Sequence, residues 1–297
     1  MPYADHLALR NVWVASFVLS LSLLGDALLY VILPVHADAF GVSLAMVGFL
    51  LAINRIIRTF AYGFIADLAE RIGLKKLCLI AATTAVLSTL GYTLLNGAVW
   101  LSLSRVMWGL SYAALLLITL SYAAINPQKT GTRIGLSRSV EQIGPLFAMT
   151  VGAWLATLVG PKAIFGYLAI VSGLAVLLAF FLFEKAQPKT IKRPAKRDRL
   201  FPRPDSLDAL IFWMGAGIDG VFTLSISLMW AQQVSIELAI LIGGSILAAR
   251  RLSEMLVAPF AGIIADRFGT RLSLTIAIMA SICGFVLVGF GWLVLGS

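Results

Sequence analysis

Residues 262–271 read GIIADRFGTR, and 199 positions earlier residues 63–76 read GFIADLAERIGLKK. Gly63, Ala66 and Asp67 stand against Gly262, Ala265 and Asp266, and Arg71, Gly73 and Lys75 answer Arg267, Gly269 and Arg271. The earlier copy carries three extra residues between its aspartate and its arginine. Each copy ends an apolar run of membrane-spanning length, so the repeat marks two related helix hairpins and sets the scale on which the chain is built.

Hydrophobic residues make up 60% of the 297, charged residues 12%, and the mean hydropathy is +0.95. A water-soluble domain of that composition would expose large apolar patches, so the chain belongs in a bilayer. Apolar runs cover 11–34, 43–66, 76–95, 98–125, 136–160, 162–184, 206–230, 237–265 and 272–296. Each is continuous over about 20 residues or more, which is a helix, whereas a barrel strand alternates over about 10. The first run lacks the basic leader and small-residue cleavage site of a secretory signal and reads as an uncleaved span. Residues 185–205, rich in proline and basic residues, read as a linker. The expectation is an all-α polytopic membrane protein: a six-helix bundle over 1–184, the basic linker, and a partial bundle of three helices over 206–297.

With the N-terminus in the cytoplasm, 17 of the 23 Lys and Arg fall in cytoplasmic segments, Lys162 alone falls on the opposite side, and the rest lie within spans. That asymmetry is the positive-inside rule, so the net charge of +9 needs no nucleic-acid partner. Cys78 and Cys283 sit in apolar runs and suggest neither a disulfide nor a metal, and His6 and His36 are too far apart to make one. No nucleophile–base set, phosphate-binding glycine loop or zinc spacing is present, so neither an enzyme nor a cofactor is expected.

Charges inside spans are costly and mark function by default. Asp26 lies about 12 Å from the outer end of the first span, and Arg105 about 10 Å into the fourth, at 1.5 Å per residue, so the two can meet. An aspartate beside an arginine that can move away is a workable proton switch, because the cation favours the charged carboxylate and a dry site favours the neutral one. Asp219, Arg250, Arg251 and Glu254 fall near the middle of spans seven and eight, with Glu254 spaced to pair with both arginines. Asn54, Arg55, Arg58, Glu141 and Gln142 form an inner-half polar cluster. Trp108, Tyr112, Trp213 and Phe222 are expected to pack or to face lipid. The slight excess of arginine suits an anionic or zwitterionic substrate.

Taken together these motifs resemble the major facilitator superfamily. The segment from Gly262 to Arg271 matches that family's loop signature at every fixed position, Arg105 and Gly109 match its Arg-x-x-x-Gly element, and Gly144-Pro145 matches part of its antiporter motif. Val140, Ala148 and Met149 depart from the last of these. The resemblance implies a secondary active transporter in the cell membrane that moves a small molecule by alternating access, with proton coupling through Asp26 and Arg105, a lipid bilayer around it, and a latch at the loop motif. Export of an amphipathic molecule, uptake of a small organic anion, and a non-transporting receptor or assembly factor stay open as activities. Nine spans against the family's usual twelve imply a truncated chain, or one that recruits missing helices from a second copy.

Overall fold

The computed structural model describes residues 2–182, 206, 209–210 and 234–295, and the regular structure in them is helical. Helix α1 (Pro2–Ser22) runs into α2 (Leu24–Ile32) through Leu23, whose backbone is itself helical, and the two make one apolar span over His6–Ile32. Helices α3 (Leu44–Ile72), α4 (Leu74–Leu94) and α5 (Ala98–Ala123) are spans two to four. Span five is assembled from α6 (Thr130–Glu141), α7 (Ile143–Phe147), a π-helical turn over Ala148–Gly152, and α8 (Ala153–Val159). After α9 (Ala163–Ala179), the remaining described helices are α10 (Ile236–Phe268) and α11 (Thr270–Leu295). Five helices among the described residues are long and apolar enough to cross a membrane, and shorter apolar helices cover Ala163–Ala179 and Thr270–Gly284. The expected seventh span falls almost wholly outside the described residues.

Several helices outrun their apolar stretches. Span two continues to Ile72, not 66, and span five starts at Thr130, not 136. Hydropathy marks the stretch that lipid surrounds, but helical hydrogen bonding continues until the backbone is broken. The break is glycine. Gly73 joins α3 to α4 and Gly269 joins α10 to α11 as single-residue turns, at φ +85°, ψ 155° and φ +89°, ψ 157°. This is backbone that essentially glycine alone adopts. Each glycine amide donates back to the alanine four residues earlier, Ala69 at 3.0 Å and Ala265 at 3.1 Å. The two copies of the motif therefore make the same elbow. The three extra residues of the first copy are absorbed as added helix, which sets Asp67 about 4.5 Å farther from its elbow than Asp266 is from its own.

Helix α5 packs between α1, α3 and α4, α9 packs on α1 and α4, and α10 lies along α6. Two apolar clusters hold the bundle. One takes Leu28, Val31, Leu50, Leu101, Phe165 and Leu247, and the other Leu19, Ala61, Ala82, Trp108, Val18 and Ile118. Along spans one, two and four, each of which contributes to both, the polar residues expected to matter sit at or beside the junction: Asp26, Asn54, Arg55, Arg58 and Arg105. The core is thus two apolar layers with a polar stratum between them.

Candidate functional site

A cavity of about 710 Å³ opens in the polar stratum between α2, α3, α5, span five and α10. Asp26, Arg55, Arg58, Glu141, Gln142, Arg250, Arg251 and Glu254, all anticipated from sequence, line it. Asp219 lies outside the described residues. Asn54 is fully buried behind the wall, and among the described residues its side-chain oxygen and nitrogen both lack hydrogen bonds.

Arg105 is fully buried and forms an ion pair with Asp26, whose carboxylate faces the cavity. The guanidinium also donates to the carbonyl of Leu50 at 2.9 Å and of Leu51 at 3.4 Å, and to the hydroxyls of Tyr92 at 3.4 Å and Tyr30 at 3.5 Å. A buried cation is tolerated when its donors are filled in this way. Two glycines bring the helices close enough. A Cβ on Gly109 would lie 2.8 Å from the carbonyl oxygen of Asn54, and one on Gly25 would lie 2.5 Å from the side chain of Thr89. The Arg-x-x-x-Gly spacing therefore supplies a buried charge and, one turn on, the clearance that lets α5 reach α3.

On the span-five wall Arg138 pairs with Glu141 at 2.9 Å, and the Tyr112 hydroxyl donates to the same carboxylate at 3.4 Å. The Arg58 guanidinium carbon stands 4.3 Å from the Tyr112 ring centroid. On α10, Glu254 receives Arg250 at 3.1 Å and Arg251 at 3.0 Å, and Arg251 also reaches the Gln142 side-chain oxygen at 3.4 Å. That last bond joins the two clusters expected from sequence across the α6–α10 contact. Pro145 has no amide hydrogen to give the carbonyl of Glu141, and a π-helical turn follows α7, so the regular helical ladder of span five is interrupted beside its own cavity residue.

The loop motif is built into the same contact. Asp266 accepts from the amides of Gly131 at 2.8 Å and Thr132 at 2.7 Å and from the Thr132 hydroxyl at 2.7 Å, so its carboxylate caps the first turn of α6. Desolvation pushes this carboxyl up, but the bonds from Thr132 and Gly131 outweigh it and hold the group below the ordinary aspartate value. Gly262 and Gly131 leave no room for a Cβ between α10 and α6, and Gly135 meets the backbone of Ala258 and Pro259 in the same way. Ser139 donates to the carbonyl of Met255, and a Cβ on Gly244 would lie 3.1 Å from the Met149 carbonyl. Span five and α10 run antiparallel in one register from Gly131 against Gly262 to Met149 against Gly244, an overlap of about 27 Å.

At Asp266 the loop motif is completed by a helix terminus, the first turn of span five, while Arg267 and Arg271 are exposed. Gly63, the counterpart of Gly262 in the earlier copy, has no atom among the described residues within 4 Å of the place its Cβ would take. Arg71 and Asp67 lie near the end of α3 before the Gly73 elbow.

Three features escaped the sequence reading. Arg138, counted as a topological charge, lines the cavity, and its i, i+3 spacing to Glu141 was the available signal. Tyr112, expected to pack or face lipid, lines the cavity with Tyr30 and Tyr62. The seam of Gly131, Gly135 and Ser139 carries the small-residue spacing of close helix pairs.

Among the described residues no group of His, Cys, Asp and Glu could hold a metal ion. A comparison with curated proteins gives no match. A family model described as Major Facilitator Superfamily matches residues 15–296, a stretch that includes the Asp26–Arg105 pair, both loop motifs and the α6–α10 seam. A many-spanned helical chain, a charged cavity within it and a match over nearly its whole length lead to one conclusion: this multi-pass membrane protein belongs to the Major Facilitator Superfamily, a family of transporters of small molecules and not of enzymes.

Proposed function

We propose that the chain is a proton-coupled secondary transporter of the cell membrane, with its N-terminus in the cytoplasm, that exports a small amphipathic molecule by alternating access. The bundle of residues 1–184 and the segment 206–297, joined by the basic linker 185–205, rock about the cavity. The observation that carries this reading is the Asp26–Arg105 pair, buried on the Arg105 side and open to the cavity on the Asp26 side. A proton arriving from the cavity neutralises the carboxylate and ends its attraction for the guanidinium. Arg105 keeps its carbonyl and hydroxyl acceptors, so it can loosen from Asp26 without losing every partner. The interrupted helical ladder at Pro145 lies beside Glu141, and in this reading it is where one wall of the cavity shifts relative to the others. The ionisable groups gathered around one cavity favour this reading over a receptor or assembly factor.

The test is proton movement in inverted membrane vesicles carrying an imposed pH gradient, challenged with a panel of amphipathic solutes. Wild type collapses the gradient on addition of a substrate. Asp26→Asn inserts at the same level and does not. A variant whose response keeps the wild-type pH dependence would remove Asp26 from coupling.

A further inference from the structure

We propose that the substrate is an amphipathic organic monocarboxylate whose carboxylate is gripped by Arg58, an assignment that rests on the carrier reading above. Five arginines among the described residues line the cavity, against Asp26, Glu141 and Glu254. Each of those acids already holds a guanidinium: Asp26 that of Arg105, Glu141 that of Arg138, and Glu254 those of Arg250 and Arg251. Among the described residues a cationic substrate therefore meets no carboxylate that is not already engaged, and would have to displace an arginine to bind one.

Arg58 is different. Its Nε donates to the carbonyl of Asn54 at 3.2 Å, its face lies on Tyr112, and among the described residues its two terminal nitrogens make no hydrogen bond and no ion pair. One edge of the guanidinium is anchored, and the other presents a planar fork to the cavity, which is the geometry that takes a carboxylate through two parallel bonds. The platform beneath is fixed too. Tyr112 is tied to Glu141 by its hydroxyl and stands 6.0 Å from Trp108, ring centroid to centroid. A fork held in place loses little freedom on binding. The apolar part of the lining, Pro145, Met149, Leu247 and Val257, gives the rest of the ligand a surface to cover. One fork and one apolar wall call for one carboxylate and an apolar body.

The experiment is equilibrium binding to the purified full chain in detergent, with p-aminohippurate as an aromatic monocarboxylate, its neutral methyl ester, and ethidium as a cationic probe. Wild type binds p-aminohippurate, and Arg58→Gln weakens it by about tenfold or more, the scale of a lost charge-assisted pair. Arg58→Lys recovers only part, since an ammonium is no fork. The methyl ester binds wild type correspondingly more weakly, a result that needs no variant to fold. Equal binding of acid and ester, unchanged affinity in Arg58→Gln, or ethidium bound in preference to p-aminohippurate would each overturn the assignment. Flux in reconstituted vesicles separates the two readings. Arg58-dependent binding without flux upholds the ligand class and sinks the carrier. Ethidium flux without p-aminohippurate binding does the reverse.

Discussion

Replacing Asp26 by leucine leaves Arg105 fully buried with a positive charge answered only by carbonyls and hydroxyls. Removing one member of a buried ion pair costs about 3–5 kcal/mol, because the other is left uncompensated in a medium that solvates it poorly. The four remaining acceptors hold the cation in place but bring no opposite charge, so the upper half of that range applies. Arg105→Met alone strands Asp26 less severely, since its carboxylate borders the cavity and water can reach it; about 1–3 kcal/mol is expected, the cost of a polar group left without its partner. The double variant Asp26→Leu with Arg105→Met removes both charges and both desolvation costs, and recovers most of the lost stability. Unfolding by titrating a denaturing detergent into folded protein, followed by tryptophan fluorescence, measures the cycle. Transport separates from stability in the same set, because the double variant folds well and carries no protons. A double variant as unstable as Asp26→Leu would refute the reasoning, since the pair would then not be what makes each charge tolerable.

Two further outcomes concern the α6–α10 seam. Gly135→Val puts a branched side chain where even a Cβ would press on the backbone of Ala258 and Pro259, so the helices must part, at a cost of about 1–3 kcal/mol; wild-type stability, together with undiminished crosslinking between cysteines placed at positions 132 and 266, would contradict this. The Asp266 cap involves a carboxyl held below its ordinary value of 3.8. Its contribution is therefore full at neutral pH, declines as pH falls past that value, and is gone below the lowered one. Spin labels reporting the α6–α10 distance should show contact kept at pH 5 and loosened in Asp266→Asn at every pH, and loosening of wild type already at pH 5 would remove the cap.

How much was legible follows from what each signal measures. Apolar runs announce spans because lipid imposes one requirement on every residue of a run, and charges within them stand out against that background, which is why Asp26, Arg105, Arg250 and Glu254 could be singled out. The partner of Asp266 was legible in part, since a capped helix terminus satisfies both the dipole and the carboxylate. Arg138 was not, because it stands at the very start of the run over 136–160, beside the polar stretch 130–135, and was counted with the cytoplasmic end although the helix already starts at Thr130. The cavity role of Tyr112 depends on which face of α5 meets span five, and a helix with apolar residues all round does not reveal that from periodicity. The α6–α10 register was carried by the absence of side chains at Gly131, Gly135 and Gly262, a weaker mark on a sequence than a charge.

The elbow at Gly269 ties the cavity to the lipid outside it. A connection one residue long offers two soft torsions, and both are braced, by the Gly269 amide to Ala265 on one side and by the Ser273 amide to Gly269 at 3.4 Å on the other. Helix α10 consequently cannot tilt away from α6 without dragging α11, whose Leu272, Ile276, Met279 and Ile282 project outward, sideways through the acyl chains. On the alternating-access reading proposed above, membrane viscosity and thickness thereby enter the rate and energy of opening, and the predicted result is slower opening in stiff bilayers than in fluid ones.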